Sequence, residues 1–179
     1  IASLTNLVPV PMPRMRAGVP TPVLTPMQNR LRMARRTTAS LGYNECVTYS
    51  FIDQKAAALF GGGTDATMLA NPISSEMSHM RPALLPGLLQ AAARNQSRGQ
   101  TNMALFEAGD VFYGGEPGEQ HSRVTGILVG KTGPKDVHGA SRDVDIYDAK
   151  ADAEAILSAM GAPTKVQILR GAGDAWHPG

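Results

Sequence analysis

The sequence predicts an α+β domain built on an antiparallel sheet flanked by helices. Two observations carry that expectation. The first is the order of hydrophobic periods: a helix, a strand, a short helix, then several strands with two further helices among them. The second is the brevity of the connections between successive strands, which favours antiparallel pairing. The stretch from Leu69 to Phe112 holds the densest run of informative residues and reads as strand, turn, helix and second strand.

The totals bound the answer. A chain of 179 residues, 42% hydrophobic and 18% charged, can bury one good core. It has no apolar run near the roughly 18 residues needed to cross a bilayer, and no signal-peptide pattern, so a cytoplasmic protein with no membrane partner is expected. One cysteine, Cys46, excludes an internal disulfide and fits a reducing compartment. The chain opens on Ile1 and closes on Trp176-His177-Pro178-Gly179 without a polar tail, as expected of a piece of a longer polypeptide. A net charge of +2 does not argue for nucleic acid. Its distribution is uneven. Residues 1–50 hold six arginines against Glu45 alone, whereas Asp136 to Glu154 holds six acids against Arg142 and Lys150. Solvated faces explain such asymmetry, and so does a basic contact surface near the N-terminus.

Residues 1–24 place prolines at 9, 11, 13, 20 and 22, which forbids a helix and predicts an extended linker. Thr25-Pro26 supplies an N-cap and a proline at the first helical position. Met27, Leu31, Ala34, Thr38 and Leu41 then share one helical face, and Gly42 stops the helix. Glu45 to Phe51 alternates as a strand. Asp53 caps a short helix through Phe60 that ends on Gly61-Gly62-Gly63; this triplet lacks the Lys and Ser/Thr of a phosphate loop. Thr67 to Ala70 reads as a short strand, Asn71-Pro72 as a turn, and Ser74 to Met77 as turn or strand.

Leu84, Leu85, Leu88, Leu89 and Ala92 mark a helix reaching about Ser97, with Pro86 tolerable in its first turn. Met103 to Phe112 is a strand with Gly109 as a bulge or a point of close packing. Gly114 to Gln120 is a turn, and Val124 to Val129 is a strand apolar enough to be central. Residues 131–142 are loop and Asp145 to Asp148 is extended. Ala149 to Met160 is an amphipathic helix stopped by Gly161, and Lys165 to Leu169 is a last strand.

Chemistry is sparse. His79, His121, His138 and His177 are scattered singly, which fits surface histidines better than a metal site. No nucleophile elbow occurs, and Cys46 lies in a strand expected to be buried. Glu107 sits between Phe106 and Ala108 in a core strand, on the face opposite Phe106. It either points to solvent or pairs locally, or it is buried and needs a cation such as Arg81. Arg81, at the entrance of a helix, could bind an anion or brace the turn. Trp176-His177-Pro178 shapes a pocket rim or anchors a turn.

Four segments together resemble the bacterial phenylalanyl-tRNA synthetase beta subunit family. They are Leu41-Gly42-Tyr43-Asn44-Glu45-Cys46-Val47-Thr48-Tyr49-Ser50-Phe51, the run from Leu69 to Leu89 with Asn71-Pro72-Ile73-Ser74-Ser75-Glu76-Met77, Leu105 to Phe112, and Trp176 to Gly179. The resemblance covers roughly residues 25–179 in consistent order. It implies a class II synthetase-like core over residues 25–179, truncated at its C-terminal end. Residues 1–24 would be the linker from a preceding module, whose magnesium-binding acids lie before Ile1. It also implies that ATP and magnesium serve the whole enzyme, with no cofactor, catalytic residue or metal ligand expected in this stretch. The catalytic alpha subunit is the implied partner, in an alpha2-beta2 assembly that attaches phenylalanine to tRNA(Phe). The helix from Pro26 to Leu41 would then match a motif whose helices pack between subunits.

One departure supports a non-catalytic role. Active class II subunits carry an ATP-contacting arginine directly after the Gly-x-Val-aromatic strand; here Gly109-Asp110-Val111-Phe112 is followed by Tyr113, so the bidentate partner of the alpha-phosphate is absent. A free-standing class II-like enzyme or regulatory paralogue that binds ATP or an amino acid near Arg81 and Glu107 is the alternative. A direct tRNA contact by Arg30, Arg32, Arg35 and Arg36 is a further one.

Overall fold

The structure is a computed structural model, and it describes residues 23–133, 137, 141–163 and 165–166. Residues 1–22 of the proline-rich linker, the strand positions Gln167 to Leu169, His138 and the Trp176-His177-Pro178-Gly179 run lie outside the described residues.

Helix α1 spans Pro26–Ser40, with Pro26 at its start and a capping box in which the Thr25 hydroxyl accepts from Gln28 N and the Gln28 side chain accepts from Thr25 N. It ends where Gly42 takes a φ of 95°, a backbone region that disfavours any side chain. Of the predicted stripe, Ala34 and Thr38 are fully buried, while Met27 and Leu41 remain exposed at the helix ends. Helix α2 spans Gln54–Leu59, capped by Asp53, whose Oδ1 accepts from Ala56 N at 3.0 Å. Helix α3 spans Leu85–Gln96 with Pro86 in its first turn, as the sequence predicts.

The long strands are β4, Met103–Phe112, and β5, Gln120–Val129. They pair antiparallel in unbroken register from Met103↔Val129 to Phe112↔Gln120. Gly109 therefore makes no bulge; it is the close-packing point of the two expected alternatives. Strand β1, Asn44–Glu45, flanks β4 on the other side, and the sheet order is β1-β4-β5. The central strand is thus β4, and β5, expected to be central from its apolar run, is outermost among the described residues.

The β1–β4 pair is parallel, against the general expectation of antiparallel pairing. Its two strands are joined by a crossover containing α2 and α3, so the short-connection argument does not reach them. The expected strand Glu45 to Phe51 is broken. Its ends survive as β1 and as β2, Phe51–Ile52, which pairs antiparallel with β3, His79–Met80. Between them Thr48 leaves the backbone ladder because its N–H is taken by a side chain.

Ser74 to Met77 follows the turn of its two expected alternatives, whereas other short stretches differ from expectation. Asp65–Thr67 and Ser75–Met77 are single 3-10 turns, and the expected strand Thr67 to Ala70 is reduced to a bridge between Met68 and His79. Asp145 to Asp148 is not extended. Asp145 is instead the N-cap of helix α4, Ile146–Ala159, in a capping box with Asp148. Lys165 and Val166 are exposed and outside any strand.

Alternation along β4 and β5 makes two faces. On one, Leu105, Met103, Ile127 and Val129 pack with Cys46 under Leu88, Ala91 and Ala92 of α3. On the other, Phe106 and Ala108 face the layer formed by α1 and α4, where Tyr43 donates to Asp152 Oδ2 at 2.7 Å. Gly126 packs closely there, since a Cβ on it would lie 3.1 Å from the Tyr43 ring.

Candidate functional site

The one buried ionic arrangement among the described residues is built by β3, β4 and the chain between β1 and β2. Arg81 follows β3, and its backbone is fixed on both sides: Arg81 N donates to Ser50 O at 2.9 Å, and Phe112 N donates to Arg81 O at 3.0 Å. Its side chain therefore runs along β4 towards Glu107. The pair meets at 2.7 Å between Nη1 and Oε1, with side chains only 6% and 4% exposed. Of the readings open for Glu107, burial against Arg81 is the observed one.

The rest of the node satisfies both charges. Arg81 Nε donates to Asp110 O at 2.9 Å, and Nη1 also reaches Thr48 Oγ1 at 3.1 Å. Thr48 donates twice to Glu107, from Oγ1 to Oε2 at 2.7 Å and from its N–H to Oε1 at 3.3 Å. Both carboxylate oxygens and two of the three guanidinium nitrogens are engaged inside the chain. Two glycines make the space. A Cβ on Gly109 would lie 2.8 Å from Arg81 Nη2, and one on Gly87 of α3 would collide with the Thr48 hydroxyl. The residues of a hypothetical anion site instead satisfy one another, which braces the fold.

Sequence reasoning named Arg81 and Glu107 but missed Thr48, Gly87 and Gly109 as parts of one node. Only Gly109 carried a local signal, as a glycine within a strand.

Tyr113 follows β4, half exposed, with its ring centroid 5.3 Å from that of His121 at a tilt of 47°. Its backbone N–H donates to Glu119 O at 3.1 Å, which closes the β4–β5 turn. No guanidinium occupies this position. Nor is the guanidinium of Arg81 free to meet a phosphate. Arg81 is committed to Glu107, and among the described residues no three His, Cys, Asp or Glu side chains converge to hold a metal ion.

The histidines part company with the expectation that all lie at the surface. His121 is exposed, but His79 is buried between Ile52 and Met68, with Nδ1 2.9 Å from Ser78 Oγ and Nε2 without a partner. Cys46 lies just past β1 and is half-buried, so it is not the buried strand residue expected. Burial first, and the Glu107 charge second, push its thiol pKa up. Burial followed by the bond to Asp152 raises the Tyr43 hydroxyl well above its usual range. The arginines of α1 divide. Arg35 bonds to Ala108 O at 2.7 Å and Glu45 at 3.1 Å, while Arg30, Arg32 and Arg36 are exposed and form no ion pair among the described residues. No described helix is long and apolar enough to cross a membrane.

Residues 8–179 match the family model of the phenylalanyl tRNA synthetase beta chain CLM domain. The chain belongs to that family. It is 75% identical over 179 residues to the phenylalanine–tRNA ligase beta subunit of Ruegeria pomeroyi, and 64% identical over the same span to that of Cereibacter sphaeroides. Over 176 residues it is 47% identical to that of Rhodospirillum rubrum. The match takes in 97–100% of this chain but only 22% of each relative, so the chain spans about a fifth of their length.

Two solved structures are similar in fold. A pyrrolysyl tRNA synthetase from Desulfitobacterium hafniense gives a TM-score of 0.55 at 15% identity, covering 76% of this chain and 47% of its own. An ATP phosphoribosyltransferase regulatory subunit/histidyl-tRNA synthetase from Bacillus halodurans gives 0.54 at 13%, covering 85% and 39%. At such identities the likeness bears on fold alone: it is that of class II aminoacyl-tRNA synthetases.

Proposed function

We propose that the chain is the non-catalytic class II-like core of a phenylalanine–tRNA ligase beta subunit. In this reading it supports assembly with a catalytic alpha subunit in an alpha2-beta2 enzyme, located in the cytoplasm, that uses ATP and magnesium to attach phenylalanine to tRNA(Phe). Residues 1–24 are the linker and 25–179 the core. Family membership supports the ligase context. The observation that carries the non-catalytic part is the site itself. Tyr113 stands where an alpha-phosphate needs a guanidinium, and Arg81 is already neutralised by Glu107 at 2.7 Å.

A buried ion pair cannot be recruited by a ligand cheaply. Turning Arg81 towards a phosphate would strand Glu107 as an unpaired buried charge, at a cost of about 3–5 kcal/mol. That is a large share of the roughly 8 kcal/mol that a micromolar ligand provides. Calorimetry of the chain with ATP, magnesium and phenylalanine tests this. The expected result is no saturable heat. Micromolar binding would establish the alternative, a ligand-binding enzyme or regulatory paralogue.

A further inference from the structure

We draw no further inference here: the strongest candidate, the largely apolar cleft between α1, β5 and α4 lined by Leu31, Val124, Ile156 and Met160, is open in a chain that spans about a fifth of its relatives' length, and nothing in the structure shows what covers it.

Discussion

Replacing Glu107 with alanine should be among the most damaging single changes available to this chain. Three bonds of 2.7, 2.7 and 3.3 Å to Arg81 Nη1, Thr48 Oγ1 and Thr48 N disappear together. Arg81 keeps Asp110 O and Thr48 Oγ1, but its charge stays buried because a guanidinium does not deprotonate. Breaking a buried pair from one side costs about 3–5 kcal/mol. For a chain of this size that is a fall in midpoint temperature of roughly 6–20 °C, at 2–4 °C per kcal/mol.

Urea unfolding followed by circular dichroism measures the loss. The double variant Arg81→Met/Glu107→Leu should recover most of it, since an apolar pair of similar volume is often neutral or better. A loss below about 1 kcal/mol for Glu107→Ala would refute the reasoning, because an exposed pair gives that result. So would a double variant as unstable as the sum of the singles.

Other outcomes follow from the same geometry. Gly109→Ala should destabilise by about 1–3 kcal/mol in the same unfolding assay, because its Cβ would sit 2.8 Å from Arg81 Nη2. Tyr43→Phe removes the 2.7 Å bond to Asp152 and should cost about 1 kcal/mol, read by the midpoint of urea unfolding. At the start of α4, the Arg142 guanidinium and then the Asp145 backbone hold the Asp148 carboxyl down at about 2, from an ordinary 3.8. A depressed carboxyl stabilises above its unfolded value, so this contribution is complete above about pH 4 and fades as pH falls through 2. Arg142→Ala should move the Asp148 titration, followed by carbon-detected NMR, back towards 3.8. Alkylation of Cys46 should show a pH midpoint above the usual thiol value of 9.0, since its pKa is raised.

The long elements were legible in the sequence because their signals are local. Thr25-Pro26 and Gly42 bracket α1, and the ten apolar-rich residues of β4 fall at the predicted positions. The misses share a cause. Strand identity between Glu45 and Phe51 was lost because the Thr48 N–H is claimed by Glu107, a residue distant in sequence. The parallel β1–β4 pairing and the outer place of β5 are set by the crossover through α3, to which neither strand's composition points. Asp145 and Asp148 read as strand residues until their carboxylates are seen to cap a helix. For the site, the pairing of Arg81 with Glu107 was within reach because a charge in a core strand demands a partner. The glycines that admit the pair have no such signature, since their role is the room they leave.

In the proposed function this chain is an assembly element and not a ligand-binding one. Sedimentation of the full-length beta polypeptide with the purified alpha subunit tests it most directly, in parallel with a beta polypeptide from which residues 25–179 have been removed. A stable mixed complex is expected for the complete polypeptide, and its loss when this core is deleted. A complex of undiminished affinity without residues 25–179 would contradict it.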